Sequence, residues 1–527
     1  MRPTRSILAA GLAAATALAT ALPSAAAVPT DSSQLREAVS AAGIMEHLEA
    51  FQAIADANGG TRLAGTPGYD ESADYVAGLL TAAGYQVTRQ QFTFDYFQEI
   101  EPPLFERVSP TPRTYVETTD FLTMTYSGSG DVTAPIFAVD LVLPPGPVAG
   151  SSTSGCETSD FVGFPAGSVA LLQRGTCDFV VKATNAEAAG ASAVIIFNEG
   201  QEGRTDVFGG TLGGLGVTIP VLGTSFAVGA ELAGMPGAVV HIRTVTLSET
   251  RLTENILADT PTGRVDRTVV VGAHLDSVAA GPGINDNGSG AGALLEIALQ
   301  MAELNIEPRN RVRFAFWGAE EEGLLGSEYY VSQLSTRDIK NTALNLNFDM
   351  IASPNYVRFV YDGDGSDTET AGPNGSGQIE DVFTKYFASQ GLPTEPTAFD
   401  GRSDYGPFIA VGIPAGGLFT GAEGIKTPEE AVVYGGVAGA PYDPCYHEVC
   451  DSLTPTHTPE DAALFAQLAL DYDLVGNVNL DALEEMADAT AHATLTYAMT
   501  TSAVQGTSQS STSASAALEH QGSQLKR

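Results

Sequence analysis

The stretch that decides the fold is VVVGAHLDSVAAGPGINDNGSGAGALLEIAL, residues 269–299, with VRFAFWGAEEEG, residues 312–323, behind it. A β-rich run ends in His274, Leu275 and Asp276. A glycine-rich loop follows and carries Asn285, Asp286 and Asn287. A helical run comes next, then a second β-rich run that ends in Ala319, Glu320 and Glu321. Ligand-type polar residues therefore fall just past the carboxyl ends of consecutive strands, where open α/β sheets keep their sites. The pattern is that of half of a two-metal hydrolase site.

Working outward, the chain alternates strand and helix on both sides of this stretch. Residues 33–57 carry helical apolar spacing (Leu35, Val39, Ile44, Leu48, Phe51, Ile54), and a second helix is expected over 69–83. Residues 86–97 alternate as a strand. After residue 251, strands are expected near 268–273, 312–317, 344–351, 357–360 and 413–419, with helices near 291–304, 324–334 and 379–390. Further helices are expected from 459 to about 497. This order predicts an α/β fold, a mixed and mostly parallel sheet with helices on both faces. Between 103 and 250 the character changes to short β-runs split by Gly, Pro, Ser and Thr, with one clear helix at 179–189. From 500 to 527 the chain is rich in Ser, Thr and Gln without apolar spacing, and disorder is expected. The expected division is 1–27, 28–102, an insert over 103–250, a main part over 251–499, and a tail.

With 527 residues the chain is too long for one ordinary core, and 43% apolar content is ample for a packed globule. Residues 1–27 have the form of an export signal: Arg2 and Arg5, an apolar run from Ile7 to Leu22, then Ala25-Ala26-Ala27. A secreted, extracellular protein is expected, with no membrane association once that segment is removed. The net charge of −38 argues against nucleic acid or anionic membrane as a partner, since phosphate binding needs clustered Lys and Arg. The four cysteines form two local pairs, Cys156 with Cys177 and Cys445 with Cys450, which in an exported protein suggests two disulfides. A monomer is expected.

Five residues of ligand type sit at strand ends or adjoining loops: His274, Asp286, Glu321, Asp349 and His447. Imidazole and carboxylate suit Zn²⁺, although ligand type alone does not separate zinc from manganese or cobalt. Each residue has a bland alternative. Asp286 could cap the helix at Gly290, and Glu320-Glu321-Glu322 could be a solvated first turn.

The ordered set HxD, IND, WGAEE, NxDM and Cys-Tyr-His resembles the co-catalytic zinc aminopeptidase family, of the secreted bacterial leucine aminopeptidase and vacuolar aminopeptidase Y type. Residues 167–198 resemble the protease-associated domain: a strand, Arg174-Gly175-x-Cys177-x-Phe179, a helix, and a β-branched strand ending in Asn198. The first resemblance implies the zinc exopeptidase fold with two Zn²⁺ per chain. His274 and Asp349 would hold one ion, Glu321 and His447 the other, and Asp286 would bridge them. Asp276 would orient the His274 imidazole. Glu320 would be the general base. Tyr446 would stabilise the oxyanion. Arg402 would help position the substrate, with a surface ion pair to Asp400 or Asp404 as its bland alternative. Gly416, Gly417, Leu418 and Phe419 would floor a pocket walled by Met350, Ile351, Phe408 and Tyr434, suited to a large apolar amino-terminal residue. The Cys445–Cys450 bridge would preorganise Tyr446 and His447. The insert would be small and β-rich, with no catalysis of its own. Arg174 and Lys182 would be solvated charges beside a structural disulfide. Calcium, held by Asp31, Glu484 and Asp488, is a weaker implication.

The substrate implied is the amino terminus of peptides or proteins. Rival readings stay open on sequence: a carboxypeptidase or dipeptidase on the same scaffold, a single-zinc glutaminyl cyclase, or a non-catalytic binding protein that uses its insert.

Overall fold

The computed structural model describes residues 31–505. The export signal expected over 1–27 and most of the tail lie outside the described residues.

The β-branched run of the opening stretch forms the strand Arg264–His274, buried from residue 268 onward. It lies between Asn310–Trp317 and Thr342–Phe348, parallel to both. Ala415–Phe419 continues the parallel set beyond Thr342–Phe348. Phe359–Tyr361 then pairs antiparallel, and Glu395–Thr397 closes that edge in parallel. On the other side Val239–Asp259 runs antiparallel to Asn310–Trp317. The sheet is mixed and mostly parallel, as expected. Alternate side chains serve opposite faces. Val269, Val271 and Ala273 join the cluster holding Leu48, Leu294 and Phe383, while Val270 joins Trp317, Tyr330 and Phe408. Helices therefore cover both faces, which is why these strands are near-continuous apolar runs.

The helical run expected over 33–57 divides into Ser33–Ala38 and Ala41–Ala57. Ser40 makes the break, its side chain accepting the Gly43 N–H as an N-cap. The strand read as ending at Phe97 continues to Ser109, paired throughout with Val239–Asp259. Register shifts around Glu101 and Leu104 absorb Pro102 and Pro103, which hid the continuation. This two-stranded ribbon carries the chain out of the main sheet and back. At its far end Gly130–Ala138, Val169–Gln173, Ala193–Phe197 and Val221–Thr224 extend one sheet, the last three joints parallel. The insert has a second helix, Phe226–Ala233, missed because eight residues are too few for periodicity to register. Ser502–Gln505 forms a helical turn with Val504 buried, inside the segment read as tail.

Both disulfides are present, Cys156–Cys177 and Cys445–Cys450. The reading of Lys182 as a solvated charge is corrected. It is fully buried and donates to the Ser154 carbonyl. Arg174 is half-buried, with its guanidinium over the Phe179 and Phe208 rings.

Candidate metal centre and catalytic cleft

His274 ends its strand and points its Nε2 at two carboxylates, Asp286 Oδ1 at 3.2 Å and Asp349 Oδ1 at 3.3 Å. His447, on the short disulfide loop, points its Nε2 at Asp286 Oδ2, 3.4 Å away, and at Glu321 Oε2, 3.1 Å away. Asp286 thus stands between the two imidazoles, one oxygen toward each. The second Glu321 oxygen is buried without a hydrogen-bond partner. An orphaned buried acceptor beside crowded carboxylates fits a cation. Ligand-type atoms of His274, Asp286 and Glu321, and of His274, Glu320 and Asp349, lie within 4.8 Å of one another. Two imidazoles and three carboxylates in this order suit a pair of divalent ions.

The electrostatics agree. Burial pushes the Glu321 carboxyl up to about 7, and the charge of Asp286 adds to it. Burial by itself would lower His447, but Glu321 and Asp286 outweigh it and push the ring up to about 11. Burial would likewise raise Asp286, yet its bonds to both histidines hold it below the usual carboxylate range. Protons stand in here for positive charge that the acidic site demands.

Glu320 is buried with its Oε2 3.9 Å from His274 Nε2. Burial raises its carboxyl well above the ordinary range; His274 opposes this, and Asp349 and Asp404 reinforce it. The Asp276 carboxylate lies 3.7 Å from the His274 Nδ1 and makes further contacts. The His274 Nδ1 meets the Asp276 backbone carbonyl at 3.2 Å, while the Asp276 carboxylate accepts the backbone N–H groups of Glu320 and Glu321 at 3.2 and 3.3 Å. It fixes the acidic turn as well as the imidazole. That turn is buried, not the solvated first turn of a helix; Glu320 and Glu322 are each under a tenth exposed, and the helix starts at Leu325. Tyr446 stacks on His447 with ring centroids 3.8 Å apart. Arg402 donates to the Tyr446 hydroxyl at 3.1 Å and to Glu423 at 2.8 and 3.3 Å. Its ion pair is therefore with Glu423, not with Asp400 or Asp404.

Several supporting groups escaped the sequence reading. Ser403 donates to Asp349 Oδ2 at 2.5 Å and accepts from Asn347 at 2.8 Å. Arg62 is fully buried and donates to the carbonyls of Leu275, Pro282 and Gly283, which shapes the loop before Asp286. Asp443 accepts from Asn285 at 2.7 Å. No local signal marks these residues, because their partners are distant in sequence. Ala319, Met350 and His447 hold positive φ of 57°, 51° and 59°, the backbone strain that clusters at functional sites.

The cleft around these groups has a volume of about 1010 Å³. Met350 and Phe419 line it as expected. Ile351, Phe408, Tyr434, Gly416, Gly417 and Leu418 do not. Ile351 and Leu418 lie in one core cluster and Phe408 in another, while Tyr434 sits under Arg358. The physical reason is strand alternation and helix packing, which turn these side chains inward. Leu122, Thr123 and Gly210 of the insert supply wall instead. The calcium candidates form no converging trio among the described residues. Asp488 is paired with Arg36 at 3.2 Å, Glu484 accepts the Ala41 N–H, and Asp31 accepts from Ser33.

Residues 255–472 match Peptidase family M28, and residues 136–232 match the PA domain. An aminopeptidase of Pseudomonas aeruginosa is 43% identical over 499 residues, covering 94% of this chain and 88% of the relative. A probable leucine aminopeptidase 2 of Aspergillus fumigatus is 39% identical over 400 residues, 75% of each chain. The solved structure of a zinc aminopeptidase from Bacillus subtilis superposes with a TM-score of 0.53 at 25% identity, covering 86% of this chain and 94% of that one. A strand-end and a loop imidazole, clustered carboxylates and these likenesses converge: the chain belongs to peptidase family M28, with a PA domain set into it.

Proposed function

We propose that this chain is a secreted metallo-aminopeptidase that releases single residues, preferably large and apolar, from peptide amino termini. The observation that carries the reading is Asp286, whose two oxygens address His274 and His447 separately. His274 with Asp349, and Glu321 with His447, would each hold one zinc ion, with Asp286 shared. Zinc so held would polarise the scissile carbonyl and acidify water. Glu320, buried and raised in proton affinity, takes a proton from the attacking water and delivers it to the leaving amine. The Tyr446 hydroxyl donates to the carbonyl oxygen as negative charge develops there. Arg402 occupies a lone pair of that hydroxyl, so the Tyr446 proton is left to point at substrate. Ser403 and Asp276 hold Asp349 and the acidic turn in place. The two disulfides suit an oxidising exterior. Met350 and Phe419 in the cleft, and the leucine aminopeptidase named among the relatives, support the apolar preference.

The test compares a free peptide with its N-acetylated form and measures bound metal on the same preparation. Cleavage of the free peptide alone, with about two zinc ions per chain, is expected. Equal cleavage of both would end the aminopeptidase reading. One zinc with pyroglutamate formation would favour a cyclase.

A further inference from the structure

Beside the catalytic cleft lies a second cavity of about 600 Å³, and the two share Thr125 and Glu322 as walls. Three chain segments pass from one to the other in step. On the ribbon strand, Tyr96 to Glu99 line the cleft and Phe92 to Asp95 line the second cavity. In the insert, Leu122 and Thr123 give way to Tyr126, and Gly209 and Gly210 give way to Thr211 and Gly213. Concerted walls of this kind make one trough running away from the metal centre, two of these segments supplied by the insert, with Leu325, Glu328, Tyr329 and Ser332 as a further wall of the second cavity.

The second cavity has a definite chemistry. Asp95, Glu322 and Glu328 line it, and no Lys, Arg or His does. Its aromatic surface includes Phe92 and Tyr329, stacked with centroids 5.1 Å apart, and Tyr126. Carboxylates and aromatic rings lining one cavity suit an extended cation with an apolar stem. On the aminopeptidase reading, from which this inference follows, the peptide chain beyond the cut bond is what enters the trough. We propose that the second cavity is a subsite for a Lys or Arg side chain downstream of the released residue, so that the enzyme selects peptides by a basic residue it does not remove.

The experiment uses the full enzyme and the peptides Leu-(Gly)n-X-amide, with X as Lys, Met or Glu and n from 0 to 4. An extended chain gains at most about 3.5 Å per residue, so one spacer length should place X in the cavity. There kcat/KM for Lys should exceed that for Glu roughly fivefold or more, the size of one or two partly exposed charge contacts. The preference should shrink toward unity in high salt and in Glu328→Gln. Thr211→Trp, which fills the cavity, should also abolish it. Leucine anilide should be hydrolysed alike by all three enzymes. Lys-to-Glu ratios within twofold at every spacer, or a preference untouched by both variants, would overturn the subsite while leaving aminopeptidase activity standing. Failure to release leucine from the anilide and from every peptide would overturn the aminopeptidase reading, and the subsite with it.

Discussion

The Asp451 carboxylate accepts the backbone N–H of Asp286 at 2.9 Å, and its other oxygen accepts that of Asn285 at 2.8 Å. Asp451 directly follows Cys450, so the disulfide loop that presents His447 is tied to the glycine-rich loop that presents Asp286. One carboxylate thereby sets the spacing of the two loops. Burial raises it to about 8, with the Asp443 charge adding, while the two backbone donors and Asn477 oppose the rise. Asp451→Ala frees both loops without removing any candidate ligand. Zinc affinity should fall about 10- to 100-fold, as for other groups that orient metal ligands. Chelator competition measures this, with circular dichroism confirming that the fold is kept. Unchanged affinity would show that the loops hold their positions without the clamp.

Glu320→Gln separates chemistry from metal binding. The substitution keeps size and buried position but cannot accept a proton. Turnover should drop by about 10²- to 10⁴-fold, the range of general acid–base catalysis, while zinc content stays that of the unmodified enzyme. Rates preserved in this variant would return the chain to a binding role.

How much of this was legible in sequence depends on the range of the interaction. The strands that carry His274, Glu321 and Asp349 announce themselves because burial on both faces demands long apolar runs, and their ends locate the site. The pairing of His274 with His447 across 173 residues rested on the motif order, and their geometry appears only once Asp286 stands between them. Arg62, Ser403 and Asp451 were silent, since a lone polar residue has no period and its partners lie far along the chain. Phe408 and Ile351 were misplaced for a related reason: composition says that a side chain is apolar, but only packing says which face it turns to. The ribbon from Gln86 to Ser109 was cut short by prolines that a bulge accommodates.

Tyr446→Phe removes a hydroxyl that the fold holds in place by a ring stack and a guanidinium. Loss of one preorganised oxyanion donor costs about 10²- to 10³-fold in kcat. KM should move far less, because the charge it meets develops only in the transition state. Arg402→Lys keeps a positive charge but loses the fork that bonds Glu423 and Tyr446 together. Its defect should therefore be smaller than that of Tyr446→Phe, and the double variant should fall short of the product of the two. Steady-state kinetics on leucine anilide decide it; full multiplicativity would mean that Arg402 acts independently of Tyr446.

Lys182 makes the insert's stability depend on pH in a direction that can be worked out. Burial lowers its amine to about 8, against about 10.4 in an unfolded chain. Below pH 8 it is charged in both states, and the cost of burying that charge is fully present. Between 8 and about 10.4 the unfolded chain binds the extra proton, so rising pH favours the folded insert. Lys182→Met removes this term and keeps most of the volume, at the cost of the donor to the Ser154 carbonyl. The stability of the Met variant relative to the parent should therefore be most favourable near pH 7 and decline by about 2–3 kcal/mol as pH approaches 10. Thermal unfolding of both proteins at matched pH measures that difference and cancels the tyrosines and surface lysines that titrate in the same range. A difference that stays flat from pH 7 to 10 would mean that water reaches the amine and that the buried charge carries no cost.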